Sequence, residues 1–507
     1  WNLNNPTGNQ QQIGIDLSFK KNKDNFFTYA FQQLQFSNNF KGNKHIFTSR
    51  MNFGNTSIYN SSSYLINNSD IQENSFLRVK TGVEQSFKKV WLGGFLNLES
   101  NNGVKTPTRE ALLSNHQFKE YEGYLGIGDT TKVFTKIGYN YRDNDSIRNN
   151  SFTQINNRKT YYLDARLIQN EQTNLSLYAN YRETENRFSE NQKALNSRVI
   201  YNQRLFKNFV TLGTRYETSS GNVAQQDFVY IEVEPGQGYY TWIDYNDNGI
   251  QEFDEFEIAE FQDQANFLRV PLPNLQFIAT QSAKINQSIT INASQWSTKK
   301  GLKKVLSHFY NQFFLSSNNE LKRTRNSFNL NPFNVNKEQQ ISVNFNIKNS
   351  LYFNRGLKNY STTYTYANAN NKQQYIIGSQ STETSYKQLE FQHLLGKFWL
   401  VDLQGKLSEN NLETENFNNR NYQINSYAFQ PKISYILNND NRFSAFYHVK
   451  DKKNNLAEFE TLKQQKIGIE YFYSGKSTTQ FNANFTTFFN DFDGNPNSPV
   501  GYQMLEG

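Results

Sequence analysis

The chain contains no cysteine. A disulfide framework, a thiolate zinc site and a cysteine nucleophile are therefore excluded. It also lacks any run approaching the roughly 18–20 apolar residues that a transmembrane helix needs, so no helix of this chain spans a bilayer. Dense Lys/Arg blocks are missing too. The net charge of +8 is spread over 507 residues, which fits charges on loops and wetted surfaces and argues against nucleic-acid binding. The five histidines, His45, His116, His308, His393 and His448, are scattered. There is no H-E-x-x-H, no close His pair and no G-x-S-x-G elbow. Gly126 and Gly128 sit in strand or turn sequence and not in a phosphate loop. The chain reads as non-enzymatic. No initiator Met and no signal peptide are present. Trp1 and Gly507 both lie in loop-like sequence, so the expectation is an internal piece of a longer polypeptide. No plug domain or energy-coupling box is visible.

What is present is aromatic and alternating. Aromatic residues make up 16% of the chain, with 43 Phe and 31 Tyr, at a mean hydropathy of −0.80. Disorder goes with few aromatics. Low hydropathy with many aromatics is expected where only every second strand residue meets lipid and Tyr and Trp gather at the membrane interfaces. Successive side chains of a strand point to opposite faces, and the sequence follows that period repeatedly. Ile13, Ile15, Leu17 and Phe19 oppose Gly14, Asp16 and Ser18. Val133, Ile137, Tyr139 and Tyr141 oppose Lys136, Gly138, Asn140 and Arg142. Leu175, Leu177, Ala179 and Tyr181 oppose Ser176, Tyr178, Asn180 and Arg182. Trp399, Val401, Leu403 and Leu407 oppose Asp402, Gln404 and Lys406. Ile467, Ile469, Tyr471 and Tyr473 oppose Lys466, Gly468 and Glu470. Runs of about 9–11 residues match tilted membrane strands.

The links alternate as well. Short ones are expected near 87–89, 128–132, 169–173, 205–208, 284–287, 353–359, 394–397, 435–441 and 473–478. Long, Asn- and Ser-rich ones are expected near 100–116, 143–158, 184–193, 218–273, 367–383, 408–421 and 450–464. Short periplasmic turns alternating with longer outer loops mark a transmembrane barrel. The expectation for residues 1–507 is an all-β fold, a large antiparallel transmembrane β-barrel in the outer membrane of a Gram-negative bacterium. It would show about 24 strands, about 26 if closed, within the known range. Residues 219–273 form its longest extracellular loop. Tyr141, Tyr181 and Tyr216 would sit in an outer aromatic girdle. The stretch 301–316 is read as a strand, although Leu302, Val305, Leu306 and Phe309 also fit helical spacing. A soluble all-β protein, folding without detergent, is the structural alternative.

One motif is sharp. Asp244-Tyr-Asn246-Asp-Asn248-Gly249-Ile250-Gln-Glu252-Phe-Asp-Glu255 satisfies the calcium-loop pattern D-x-[DN]-x-[DN]-G-x5-E. Calcium takes six to eight oxygens from a short, sharply turned loop. Asp244, Asn246 and Asn248 offer side-chain oxygens, and Ile250 offers its carbonyl. Glu252 acts directly or through water, and Glu255 closes the site with both oxygens. Gly249 permits the turn. Calcium is thus the expected cofactor, clamping a loop with little apolar surface of its own.

Together with Val233, Gly236, Gly238, Tyr239, Tyr240, Phe256 and Glu257, this segment resembles one found in large, mostly uncharacterised outer-membrane barrel proteins of Bacteroidota. The Asn- and Lys-rich composition is similar to Flavobacterium-like proteins. The resemblance implies an outer-membrane barrel, often one domain of a longer polypeptide, and no defined activity. Two functions fit. One is a barrel taking part in transport or secretion across the outer membrane, or in protein assembly there, together with partner proteins. The other is a scaffold subunit of a secretion or barrel-assembly complex that binds surface lipoproteins and has no conduit of its own. Expected partners are outer-membrane lipid and surface lipoproteins or other subunits of an outer-membrane machine, with no nucleic acid.

Overall fold

The computed structural model describes residues 9–505 except 37–39, 245–248, 250, 252–254, 260, 324–326, 334–335, 337–338, 358, 376–377, 416, 439, 457–458 and 475–479. The chain forms two compact units, Trp1–Tyr201 and Asn202–Gly507. In the first unit the strands are β1 (Gln10–Asn22), β2 (Asn25–Phe36), β3 (Phe40–Phe53), β4 (Thr56–Asn68), β5 (Gln72–Phe87), β6 (Val90–Lys105), β7 (His116–Gly128), β8 (Phe134–Arg148), β9 (Ser151–Gln169) and β10 (Thr173–Asn186). Each pairs antiparallel with the next in sequence. Strand β11 (Gln192–Leu205) carries the chain across the unit boundary.

The second unit contains β12 (Val210–Glu232), β13 (Tyr240–Trp242), β14 (Phe256–Ile258), β15 (Phe267–Asn292), the short helix α1 (Leu302–Leu306), β16 (Phe309–Lys322) and β17 (Gln340–Phe353). It continues through β18 (Tyr360–Tyr375), β19 (Gly378–Leu395), β20 (Trp399–Thr414), β21 (Tyr422–Ile436), β22 (Asn441–Asn454), β23 (Thr461–Ser474), β24 (Gln480–Asp493) and the helix α2 (Pro499–Leu505). From β15 to β24 each strand again pairs antiparallel with its successor. The exception to nearest-neighbour order is β12, which pairs with β15 across the longest connection.

The apolar side chains face outward instead of forming a core. In the second unit Leu389, Trp399, Leu407, Tyr427, Phe429, Ile433, Phe443, Ile467 and Ile469 are all exposed, and register places them on one face. An aromatic row edges that face, with Trp399 and Tyr435 4.9 Å apart and Phe443 and Tyr471 4.5 Å apart between ring centroids. From Trp399 to Leu407 the strand rises about 26 Å at ~3.3 Å per residue, which matches an apolar band of about 25 Å. In water such a face would forfeit about 1.5–3 kcal/mol for each large side chain left uncovered; in lipid it is at home. No described helix is long and apolar enough to cross a membrane. The chain is all-β and antiparallel, with the exposed apolar band of a transmembrane β-barrel.

The first unit shows the same division. Tyr139, Tyr161 and Tyr181 follow one another across β8, β9 and β10 on the apolar face, with ring centroids 5.1 and 6.5 Å apart. Tyr141 lies on the same face one row further along. The opposite face is a wetted polar wall whose carboxylates are well partnered. Tyr162 donates to Glu122 Oε1 at 2.5 Å, and Lys136 Nζ lies 3.6 Å from the same oxygen and 3.8 Å from the Tyr124 ring centroid. Asn97 and Asn140 each donate to Glu120 at 2.8 Å. Replacing Lys136 by Met keeps the stem and removes the charge, leaving Glu122 short of a partner. The expected loss is about 1–3 kcal/mol in urea unfolding from lipid vesicles, against less than about 0.5 kcal/mol for Lys132→Met in the exposed β7–β8 turn. Equal losses would show that the network contributes nothing.

Several links differ from the sequence expectation. Residues 143–158 are not a loop: β8 and β9 run on to a two-residue turn in which Asn149 and Asn150 have φ of +49° and +61°, the hairpin geometry that Asn tolerates. In the same way β18 and β19 continue through most of 367–383, and strand replaces half of 408–421 and most of 450–464. Outside lipid both faces of a strand are wet, so polar alternation vanishes and strand reads as loop. The short link expected at 284–287 is absent, because β15 passes through it unbroken. In 301–316 both patterns are real, since α1 covers Leu302–Leu306 and β16 begins at Phe309.

In the second unit a small buried cluster forms around α2. Val500 and Met504 of α2 pack on Ile424 and Leu462, which share the polar face of β21 and β23. Lys452 Nζ donates to the Met504 carbonyl at 2.8 Å, satisfying the C-terminal end of α2 with a cation, as helix ends favour.

Candidate metal centre

The 219–273 segment is structured from its base upward. Strands β12 and β15 stay paired as far as Glu232 opposite Phe267, so the connection proper is 233–266. Glu234-Pro-Gly-Gln237 makes a turn, with Gln237 N donating to the Glu234 carbonyl at 3.0 Å and Gly236 at φ +89°. Pro at the second position and a positive-φ Gly at the third define type II. The turn docks on the entry to β15. Gly236 N and Gly238 N both donate to the Ala265 carbonyl, at 3.0 and 2.9 Å, and Tyr239 N donates to the Phe267 carbonyl at 2.9 Å. At Gly238 a Cβ would lie 2.6 Å from both N and O of Phe267, so no side chain fits there.

The aromatic residues of the segment make a miniature core. Tyr230 and Phe256 stack with centroids 4.0 Å apart, while Tyr240 meets Tyr230 and Phe256 meets Phe267 edge-on at 5.1 and 5.0 Å. Tyr240, Ala265 and Phe267 are buried. This core carries the pair β13–β14, with Trp242 opposite Phe256, and Ile243 N donates to the Glu255 carbonyl at 2.9 Å. The first and last residues of the twelve-residue motif, Asp244 and Glu255, are thereby brought to one mouth.

Asp244 Oδ2 accepts the Gly249 N–H at 2.7 Å, and Gly249 has φ +68°. That bond folds the loop back on its first ligand, the turn which the glycine of a calcium loop provides. Glu255 is 2% exposed, and its Oε2 accepts the Trp242 indole N–H at 2.8 Å. Burying a carboxylate is costly without charged or hydrogen-bonding partners. Asn246, Asn248, Ile250 and Glu252 lie outside the described residues. Among the described residues no group of three or more His, Asp or Glu side chains converges. The donor set of the motif is all oxygen, and Asp244 already accepts the Gly249 N–H, so the residue types fit a calcium ion. Sequence reasoning missed Trp242, which fixes the Glu255 carboxylate, and the close packing of Gly238 on Phe267, which lets the turn dock. The E-P-G-Q-G spelling was the available signal.

The histidines serve local contacts. His45 bonds Tyr29 at 2.8 Å, His116 bonds Glu99 at 3.1 Å, His308 bonds Asn354 at 2.5 Å and His448 bonds Gln430 at 3.1 Å. His393 lies beside Tyr360 and Phe391.

No family model matches the chain. No curated protein matches it. Solved structures similar to it include the siderophore receptor PirA from Pseudomonas aeruginosa, at TM-score 0.32 and 9% identity over 95% of this chain and 77% of that one. The siderophore receptor PiuA from Acinetobacter baumannii gives TM-score 0.28 and 8% identity over 95% and 81%. The copper transporter OprC gives TM-score 0.27 and 9% identity over 96% and 83%.

Proposed function

We propose that this chain is a large outer-membrane β-barrel working in transport or secretion across the outer membrane, or in protein assembly there, and that its calcium-clamped 233–266 segment is the docking element for a partner. The observation that carries this reading is the segment's own fold. An aromatic core, a paired β13–β14 and the Gly249 N–H to Asp244 bond give the segment a fold of its own. Calcium, when bound, supplies the positive charge that neutralises Asp244 and Glu255 and fixes the intervening residues. The residues themselves do the rest: Trp242 holds Glu255, and Gly249 N–H holds Asp244. Candidate partners are surface lipoproteins or other subunits of an outer-membrane machine.

The test is purification of the native full-length protein from outer membranes in mild detergent, with and without a calcium chelator, followed by mass spectrometry. The expected result is a stable partner that is lost on chelation. A barrel that purifies alone under both conditions overturns the docking role. A second reading, a scaffold without its own conduit, is favoured by α2 lying on the polar face. Partner retention together with no solute flux in reconstituted vesicles would select it.

A further inference from the structure

We infer that the polar face of β20–β23 carries a binding site for a small solute with at least two acidic groups, phosphate or carboxylate. This site is independent of the calcium loop and of the choice between conduit and scaffold. Register builds it. Lys406 on β20 stands opposite Ala428 on β21, and Ala428 stands opposite Lys450 on β22. One row along, His448 stands opposite Lys466 on β23. The small Ala428 leaves a gap between two lysines whose backbones are two strands apart, about 10 Å. That gap is part of a cavity of about 450 Å³ that Lys406, Lys450, Lys466 and His448 line, with the amides of Gln404 and Gln430.

The charge there is one-sided. Among the described residues no carboxylate lies within ion-pair distance of Lys406 or Lys450. Lys406 rests instead over the Tyr386 ring at 4.7 Å. Glu470, on the same face, is held by Lys432 at 2.5 Å. Lys452 is committed to the Met504 carbonyl, and Gln503 of the same helix reaches the cavity, so α2 forms its roof. Half-buried ammonium groups facing one another repel, and a multivalent anion between them removes that repulsion. The amides add neutral donors that suit phosphate or carboxylate oxygens equally. A monovalent anion neutralises one lysine; two acidic groups match the spacing of Lys406 and Lys450.

The experiment titrates the full-length detergent-solubilised protein, in low salt, with inorganic pyrophosphate and separately with citrate, by calorimetry. Saturable binding is expected, at least 10-fold weaker in Lys450→Gln and in Lys406→Gln, and unchanged in Lys453→Gln on the opposite face. Thermal unfolding supplies a second readout. Both cavity variants should melt higher than wild type without anion, because repulsion is relieved, and should lose the anion-induced rise. Preference for pyrophosphate or for citrate identifies the acid type. No saturable binding of either, equal binding in wild type and both cavity variants, or equal weakening by Lys453→Gln overturns the site. Use of two variants keeps the outcome decisive if one of them fails to fold.

Discussion

Gly238→Val will open the 233–266 segment to protease while leaving the barrel strands folded. The valine Cβ has nowhere to go, since the Phe267 backbone N and O lie 2.6 Å from its position and the Ala265 carbonyl 2.8 Å away. Backbone cannot yield as a flexible side chain does. The turn must undock, giving up three hydrogen bonds to Ala265 and Phe267 and exposing the aromatic core beneath. Overpacking costs of about 3 kcal/mol are at the upper end of what cores show, and this clash is with main chain. Where opening and closing are fast, cleavage tracks the open population, so about 3 kcal/mol corresponds to roughly 100-fold faster cutting within 233–266. Calcium should protect the wild type and fail to rescue the variant. Unchanged cleavage would mean that the pedestal does not hold the loop. Asp244→Ala should instead abolish only the calcium-dependent part of the protection.

The second large effect concerns which face meets lipid. Leu389 is 52% exposed and lies among Phe429, Leu407 and Tyr364 on the apolar face. Arginine there should cost about 2–4 kcal/mol, the depth-dependent penalty for a cation on the lipid side of a barrel. Gln392, on the same strand, points to the polar face and donates to Asp402 at 2.8 Å. Gln392→Arg keeps a donor beside that carboxylate and should change stability by less than about 0.5 kcal/mol. Unfolding from lipid vesicles in urea measures both. Similar losses in the two variants would contradict the assignment of faces.

That assignment was legible before any coordinates, because lipid imposes the period. Ile467 and Ile469 alternate with Lys466, Gly468 and Glu470 because one face must be apolar, and in the structure the two isoleucines are exposed while Gly468 is buried and Lys466 and Glu470 are half-buried. Beyond the lipid the constraint lapses, and Asn, Ser and Thr on both faces of β8, β9, β18 and β19 looked like loop until the hydrogen-bond ladder showed strand. In the candidate metal site, Asp244, Gly249 and Glu255 were readable from spacing alone. Their support was not, because Trp242, Tyr230 and Phe267 become neighbours of the site only when β12, β13, β14 and β15 pair. The anion site was harder still. Lys406, Lys450 and Lys466 belong to three strands, and only register makes them one cluster.

The crossing of β12 to β15 also bears on how the chain acquires its shape in time. Nearly every other described strand finds its partner a few residues away, so hairpins can add in order along the chain, the low-contact-order route that favours rapid folding. Between β12 and β15 that sequence is interrupted. Closing a connection of about thirty residues rather than about four raises the entropic cost by roughly 2 kcal/mol. The aromatic core joins Tyr230 of β12 to Phe267 of β15 through Phe256, so it forms only as the two long strands meet. Pairing of β12 with β15 would then be the slow step of the second unit, closed by the stack of Tyr230 on Phe256 and the edge of Phe267.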